Sequence, residues 1–127
     1  MRCLLTIVLI ATCGFGEQAR CKGNPRVVDA CYVVHGRANL GADTVRIRIW
    51  PIGTTRMLGV TAGPTLDDAD SPIWPDRLKF ISVDDSIYAD FEVCPFTPQR
   101  AGEMQRVCVE SASRVVIKHA ASSHKVK

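Results

Sequence analysis

Two acidic residues and two cysteines stand in mirrored positions on either side of a loop. Glu92-Val93-Cys94 precedes it, Val107-Cys108-Val109-Glu110 follows it, and Pro95, Pro98 and Gly102 lie between. Two antiparallel strands around a long hairpin loop have this pattern. The strand period of two puts Cys94 on the face of Asp90 and Glu92, and Cys108 on the face of Arg106 and Glu110. Val93, Val107 and Val109 point the other way. If Cys94 bonds Cys108, the register sets Glu92 opposite Glu110. Paired carboxylates repel, split their pKa values and can divide acid and base work. A small secreted hydrolase using Glu92 and Glu110 is thus one alternative function. The plainer reading is two solvated carboxylates on an open face, where repulsion in water is weak.

The loop between the two cysteines carries Phe96 and Arg100. Closed at its base by a Cys94–Cys108 bridge, it would present them with little ordering cost, as protease-inhibitor loops do. Inhibition through this loop is a second alternative, set against a plain hairpin connection that happens to hold two prolines.

A third group lies on Thr44 to Trp50 (TVRIRIW), where Val45, Ile47 and Ile49 face one way and Arg46, Arg48 and Trp50 the other. Two guanidiniums beside an indole suit an acidic sugar, a phosphate or a partner's carboxylates. The same face also reads as ordinary solvated arginines covering Trp50. Five residues are therefore expected to bind: Arg46, Arg48, Trp50, Phe96 and Arg100.

The remaining chemistry is thinner. Asp67, Asp68 and Asp70 offer hard oxygens for calcium but lack the spacing of a calcium loop, so a solvated acidic turn is expected. No CxxC or HxxxH spacing supports zinc, and no glycine-rich phosphate loop is present. His35, His119 and His124 form no local catalytic signature. No cofactor and no metal are expected.

These groups must be held by a scaffold, and the start of the chain says where that scaffold works. Met1-Arg2 precedes an apolar run, Cys3 to Ala11, too short to span a bilayer as a helix, which takes ~20 residues. It reads as a secretory signal ending at Gly16. A buried N-terminal strand is the competing reading. Ile10-Ala11-Thr12-Cys13 also resembles a lipobox, although Thr12 departs from the pattern. Lipidation at Cys13 would tether the domain to a membrane, and is the one route by which a membrane is expected as a partner. With residues 1–16 removed, Cys21, Cys31, Cys94 and Cys108 remain of the six cysteines. An even number behind a signal predicts two disulfides. Of three connectivities, the pattern favours Cys21–Cys31 and Cys94–Cys108, because each closes a short loop.

The chain has 127 residues, 46% hydrophobic and 23% charged, with 16 Lys and Arg against 13 Asp and Glu. This is one domain with material for a core, and a net charge of +3 does not make a nucleic-acid binder. Strand signals cover Val27–Arg37, Thr44–Trp50, Met57–Thr61, Leu78–Val83, Ile87–Cys94, Gln105–Glu110 and Arg114–His119, with tight turns at 84–86 and 111–113. Residues 62–76 form the longest irregular stretch, with one helical turn near Thr65 to Ala69. The expected fold is all-β: a small antiparallel β-sandwich or barrel of about seven strands, disulfide-bonded. Residues 1–16 are the signal, 17–26 an N-terminal segment, 27–120 the β domain and 121–127 a polar tail.

The run Val34-His35-Gly36-Arg37, Arg48-Ile49-Trp50-Pro51, Gly53-Thr54, Arg56 and Leu58-Gly59-Val60 resembles small secreted bacterial proteins of unassigned function. That resemblance covers about a quarter of the chain and implies export without implying an activity. A fainter likeness to transthyretin-like sandwiches rests on fold class alone. The resulting expectation is a secreted or periplasmic, non-enzymatic domain with a binding or envelope-structural role. Its partner would be an unknown protein or an acidic ligand, not nucleic acid.

Overall fold

The computed structural model describes residues 21–119. The expected signal, the lipobox at Cys13, residues 17–20 and the polar tail lie outside the described residues.

Among the described residues, five strands form a closed barrel in the order β1-β2-β3-β5-β4. They are β1 (Tyr32–Leu40), β2 (Ile47–Pro51), β3 (Leu58–Val60), β4 (Asp85–Pro95) and β5 (Gln105–His119). β1 pairs antiparallel with both β2 and β4, and β4 with β5. The barrel closes through a parallel pairing of β3 with β5, so the sheet is mixed rather than antiparallel throughout. The architecture is that of the five-stranded Greek-key barrels of the OB type.

Alternation builds the interior. Ile47 and Ile49 on β2, and Ile87, Ala89, Phe91 and Val93 on β4, all face inward and are buried. Leu58, Val60, Val107 and Val109 complete the layer. Trp74, from the β3–β4 connection, plugs the barrel and stacks on Phe91 with ring centroids 5.7 Å apart. Phe91 and Trp74 are large faces in offset contact, an arrangement that adds to simple burial.

The seven expected strands become five through one loss and one merger, and the first of them starts late. Val27 to Cys31 is not strand, because an N-terminal arm from Cys21 runs outside the barrel before β1 begins at Tyr32. Leu78–Val83 is not a strand either: a 3-10 turn (Asp76–Leu78) buries Leu78 in the cap. Phe80 and Val83 then stand exposed, so this stretch has no alternating apolar face to pair. The expected turn at 111–113 is instead the middle of a continuous β5. Register shifts in β4 opposite this stretch, together with positive φ at Arg114, take up the extra residues without reversing the chain. The helical turn expected near Thr65 is present as a 3-10 segment (Leu66–Asp70).

Two glycines permit close approach. A Cβ on Gly36 would sit 2.7 Å from Ile49 Cγ2 and 3.0 Å from the Trp50 carbonyl, so glycine is what lets β1 crowd β2. A Cβ on Gly59 would meet Val45 Cγ1 at 2.7 Å and Met104 Sδ at 2.8 Å. Val45 belongs to the β1–β2 loop and Met104 to the β4–β5 loop, so both loops fold over the middle of β3.

Candidate binding site

The four cysteines among the described residues are bonded as Cys21–Cys108 and Cys31–Cys94. This corrects the short-loop pairing. Cys94 and Cys108 are indeed direct register partners on the face away from the barrel interior. Each is instead bonded to a cysteine of the N-terminal arm, which crosses that face and covers both. Arm and strands form a second small core of Cys21, Cys94, Cys108 and Phe96, packed by Val27, Cys31 and Ile73. The Val28 N–H donates to the Pro95 carbonyl at 2.9 Å, adding a backbone tie. Arg26 extends the clamp, pairing with Asp68 at 3.1 Å and donating to the Ala62 carbonyl at 2.5 Å.

This end of the molecule disposes of two expected sites. Phe96 is 1% exposed and locked in the sulfur-rich core, so it cannot enter a partner's pocket. No disulfide closes the base of the 96–104 loop, although Arg100 on it is exposed. Glu92 does not oppose Glu110. A register shift between Glu92 and Val93 places Ser111 opposite Glu92. Lys22 of the arm then sits between the two carboxylates: its Nζ lies 2.9 Å from Glu92 Oε1, and its backbone N–H donates to Glu110 Oε2 at 3.0 Å. The hydrogen bond and charge of Glu92 raise the Lys22 pKa. The carboxylates are thus tied to a cation and a backbone donor instead of sharing a proton.

The acidic turn is satisfied internally. Asp68 accepts from the Thr65 backbone at 3.0 Å and from the Thr65 hydroxyl at 2.7 Å. These bonds, with Arg26, hold its pKa below the usual carboxylate range. Asp67 and Asp70 are exposed.

The arginine-bearing strand begins at Ile47 rather than Thr44, because Val45 has a positive φ and packs over Gly59; from Ile47 onward it alternates as expected, with one residue added by the neighbouring strand. Val45, Ile47 and Ile49 are buried, and Trp50 is half-buried on the outer face. Arg46 is exposed in the loop before β2. Arg48 turns back on its own loop, donating to the carbonyls of Val45 at 3.2 Å and Thr44 at 3.4 Å. The cation that meets Trp50 is Arg37, its cross-strand partner on β1, whose guanidinium carbon lies 5.3 Å from the ring centroid. Arg37 Nε is buried and has no hydrogen-bond partner among the described residues.

The row continues across the sheet. Arg37 is also the register partner of Tyr88 on β4, and Tyr88 that of Val116 on β5. Lys118 Nζ lies 4.9 Å from the Tyr88 ring centroid. Trp50, Arg37, Tyr88 and Lys118 therefore alternate aromatic and cationic groups over four strands. Sequence reasoning placed Arg37 at the end of a strand but had no means of pairing that strand with Trp50. Only the register shows it.

Beside this row, acids and bases are paired off. Asp90 accepts from His35 at 2.8 Å and from Arg114 at 2.5 Å, and these partners lower its pKa, His35 foremost. Asp85 accepts from the Ser82 backbone at 3.1 Å and meets His119 at 2.8 Å, and these likewise lower its pKa, the Ser82 bond first. His124 lies outside the described residues. The only group of three or more metal-type ligand atoms found among the described residues is Cys21, Cys94 and Cys108, all of them in disulfides. No family model, curated protein or solved structure matches this chain.

Proposed function

We propose that this protein is an extracytoplasmic, non-enzymatic binding module that takes an anionic ligand on the outer face of β1, β2, β4 and β5. The observation that carries this reading is the row Trp50–Arg37–Tyr88–Lys118. It offers flat apolar rings to stack on, with cations between them. No carboxylate lies in the row, and the nearby Asp85 and Asp90 are already engaged by histidines and Arg114. Barrels of this type commonly bind oligomeric ligands on the strand 2–3 face. Here Val45 and Met104 cover that region over Gly59, which leaves the β1–β2–β4–β5 side as the open platform.

Two disulfides support residence outside the cytoplasm, because such bonds persist in oxidising compartments. The resemblance of residues 34–60 to small secreted proteins points the same way. Fold alone does not choose a ligand; the chemistry of the row favours an acidic glycan or a partner's acidic surface.

Binding to polygalacturonate, with neutral dextran as control, tests the reading. The expected result is association with the acidic polymer that weakens as salt rises. Trp50→Ala and Lys118→Ala should each weaken it, by about threefold to tenfold, the scale of a solvent-facing stacking or cation–π contact. Equal affinity for both polymers, or indifference to Trp50→Ala, would refute the proposal.

A further inference from the structure

At the end of the barrel away from the disulfides, β1 stops at Leu40, β2 starts at Ile47, and the 71–81 segment arches over both. A cavity of about 390 Å³ lies between them, open on one side. That volume falls within the ~300–1,000 Å³ of small-molecule sites. Leu40, Ile47, Trp74, Leu78 and Ile81 form most of its wall. The polar side chains on the lining are those of Ser71 and Lys79, and no carboxylate lines it. Trp74 is 94% buried by its 6% exposure, and its indole N–H has no hydrogen-bond partner among the described residues.

This chemistry narrows the occupant. A sugar would bury several hydroxyls against a lining whose side-chain partners are only Ser71, Lys79 and the Trp74 indole N–H, too few to pair them all, at a cost for each one left over. A hydrocarbon tail meets no such penalty and gains from leaving water. Lys79 and the Trp74 indole can only donate, and the Ser71 hydroxyl can donate too, so an accepting group is the polar end that suits this lining. Lys79 is ion-paired with Asp76 at 2.6 Å, but this pair is solvent-exposed and Asp76 does not line the cavity. Exposed pairs are weak, so a ligand carboxylate can compete for the ammonium.

We propose that this cavity binds a medium-chain fatty acid, with its tail against Trp74, Leu78 and Ile81 and its carboxylate on Lys79. The site shares no residue with the Trp50–Arg37–Tyr88–Lys118 row, so either can fail without the other.

The test uses sodium decanoate as the probe and decanol as its uncharged counterpart. The chain contains two tryptophans, so its nitrogen–proton NMR spectrum shows two indole signals, assigned with Trp50→Phe. Decanoate should shift the Trp74 signal saturably, and decanol should bind about tenfold more weakly for want of the charge-assisted bond. Lys79→Met should abolish that preference while leaving decanol unchanged. Ser71→Phe, which places a ring at the mouth from an exposed position, should weaken both. Both substituted residues are exposed, and an unshifted Trp50 signal reports that the fold is intact. A Trp74 signal that does not move, or moves without saturating, overturns the site. Equal affinities for decanoate and decanol in the parent protein overturn the assignment of the carboxylate to Lys79.

Discussion

Cys94 and Cys108 face each other across β4 and β5, and each is bonded to a different cysteine of the N-terminal arm. The two bonds span 87 and 63 residues and fasten the arm over the start of β5 and the end of β4. A cross-link of that reach removes more freedom from the unfolded chain than a hairpin staple does, ~4 kcal/mol or more against ~3 kcal/mol in the chain-entropy model. Peptide mapping without reduction should recover Cys21 joined to Cys108 and Cys31 joined to Cys94. Replacing Cys21 and Cys108 together by Ser should lower unfolding free energy by about 2–5 kcal/mol. A fragment joining Cys94 to Cys108 in the native protein would contradict this arrangement.

Phe96 and Arg100 sit four residues apart on one loop and should respond oppositely to truncation. Phe96→Ala opens a hole beside the disulfides and should cost about 3–5 kcal/mol in urea denaturation. Arg100→Ala, at an exposed position, should leave the midpoint within about 0.5 kcal/mol of the parent. Loss of a binding activity on Arg100→Ala, with stability unchanged, would revive an inhibitory role for the loop.

The two crowded glycines should also part company. Alanine at Gly36 presses on the Trp50 backbone as well as on Ile49, and backbone cannot swing aside. The expected loss is about 1–3 kcal/mol. At Gly59 the neighbours are the ends of the Val45 and Met104 side chains. There the methionine can yield, so Gly59→Ala should cost less and should instead loosen the two loops. Amide hydrogen exchange at residues 42–46 and 99–104 measures that loosening; unchanged protection in Gly59→Ala would contradict it.

Asp68, Asp85 and Asp90 all have pKa values lowered by their partners. A carboxylate depressed in the folded state contributes stability that is fully present above its unfolded pKa of ~3.9. That contribution is lost as pH falls through the lower, folded value. Stability should therefore hold steady down to about pH 5 and decline in acid. Asp90→Asn should be less stable than the parent at pH 7 and should converge with it at low pH. Parallel curves across the whole range would show that Asp90 makes no such contribution.

Much of the scaffold is legible in residue order because strand alternation is a local property. Ile47 and Ile49 announce an inward face, and Ile87 to Val93 another, since side chains two apart must share a side of a strand whatever it pairs with. The cysteines beyond residue 16, four in number, likewise announce two disulfides. What could not be read locally is which strand lies beside which. Pairing is decided by the closure of the whole barrel, and one slipped residue reverses every face. Hence the shift at Glu92 separates two carboxylates that residue spacing aligns, and Lys22 comes between them from 70 residues away in the chain. Hence also Trp50 meets Arg37, and Tyr88 comes beside them from yet another strand. Residue order determined a disulfide-bonded β domain. Tertiary closure decided which cysteines bond, which aromatics gain a cation, and where a cavity opens, because each depends on contacts between segments that carry no mark of one another.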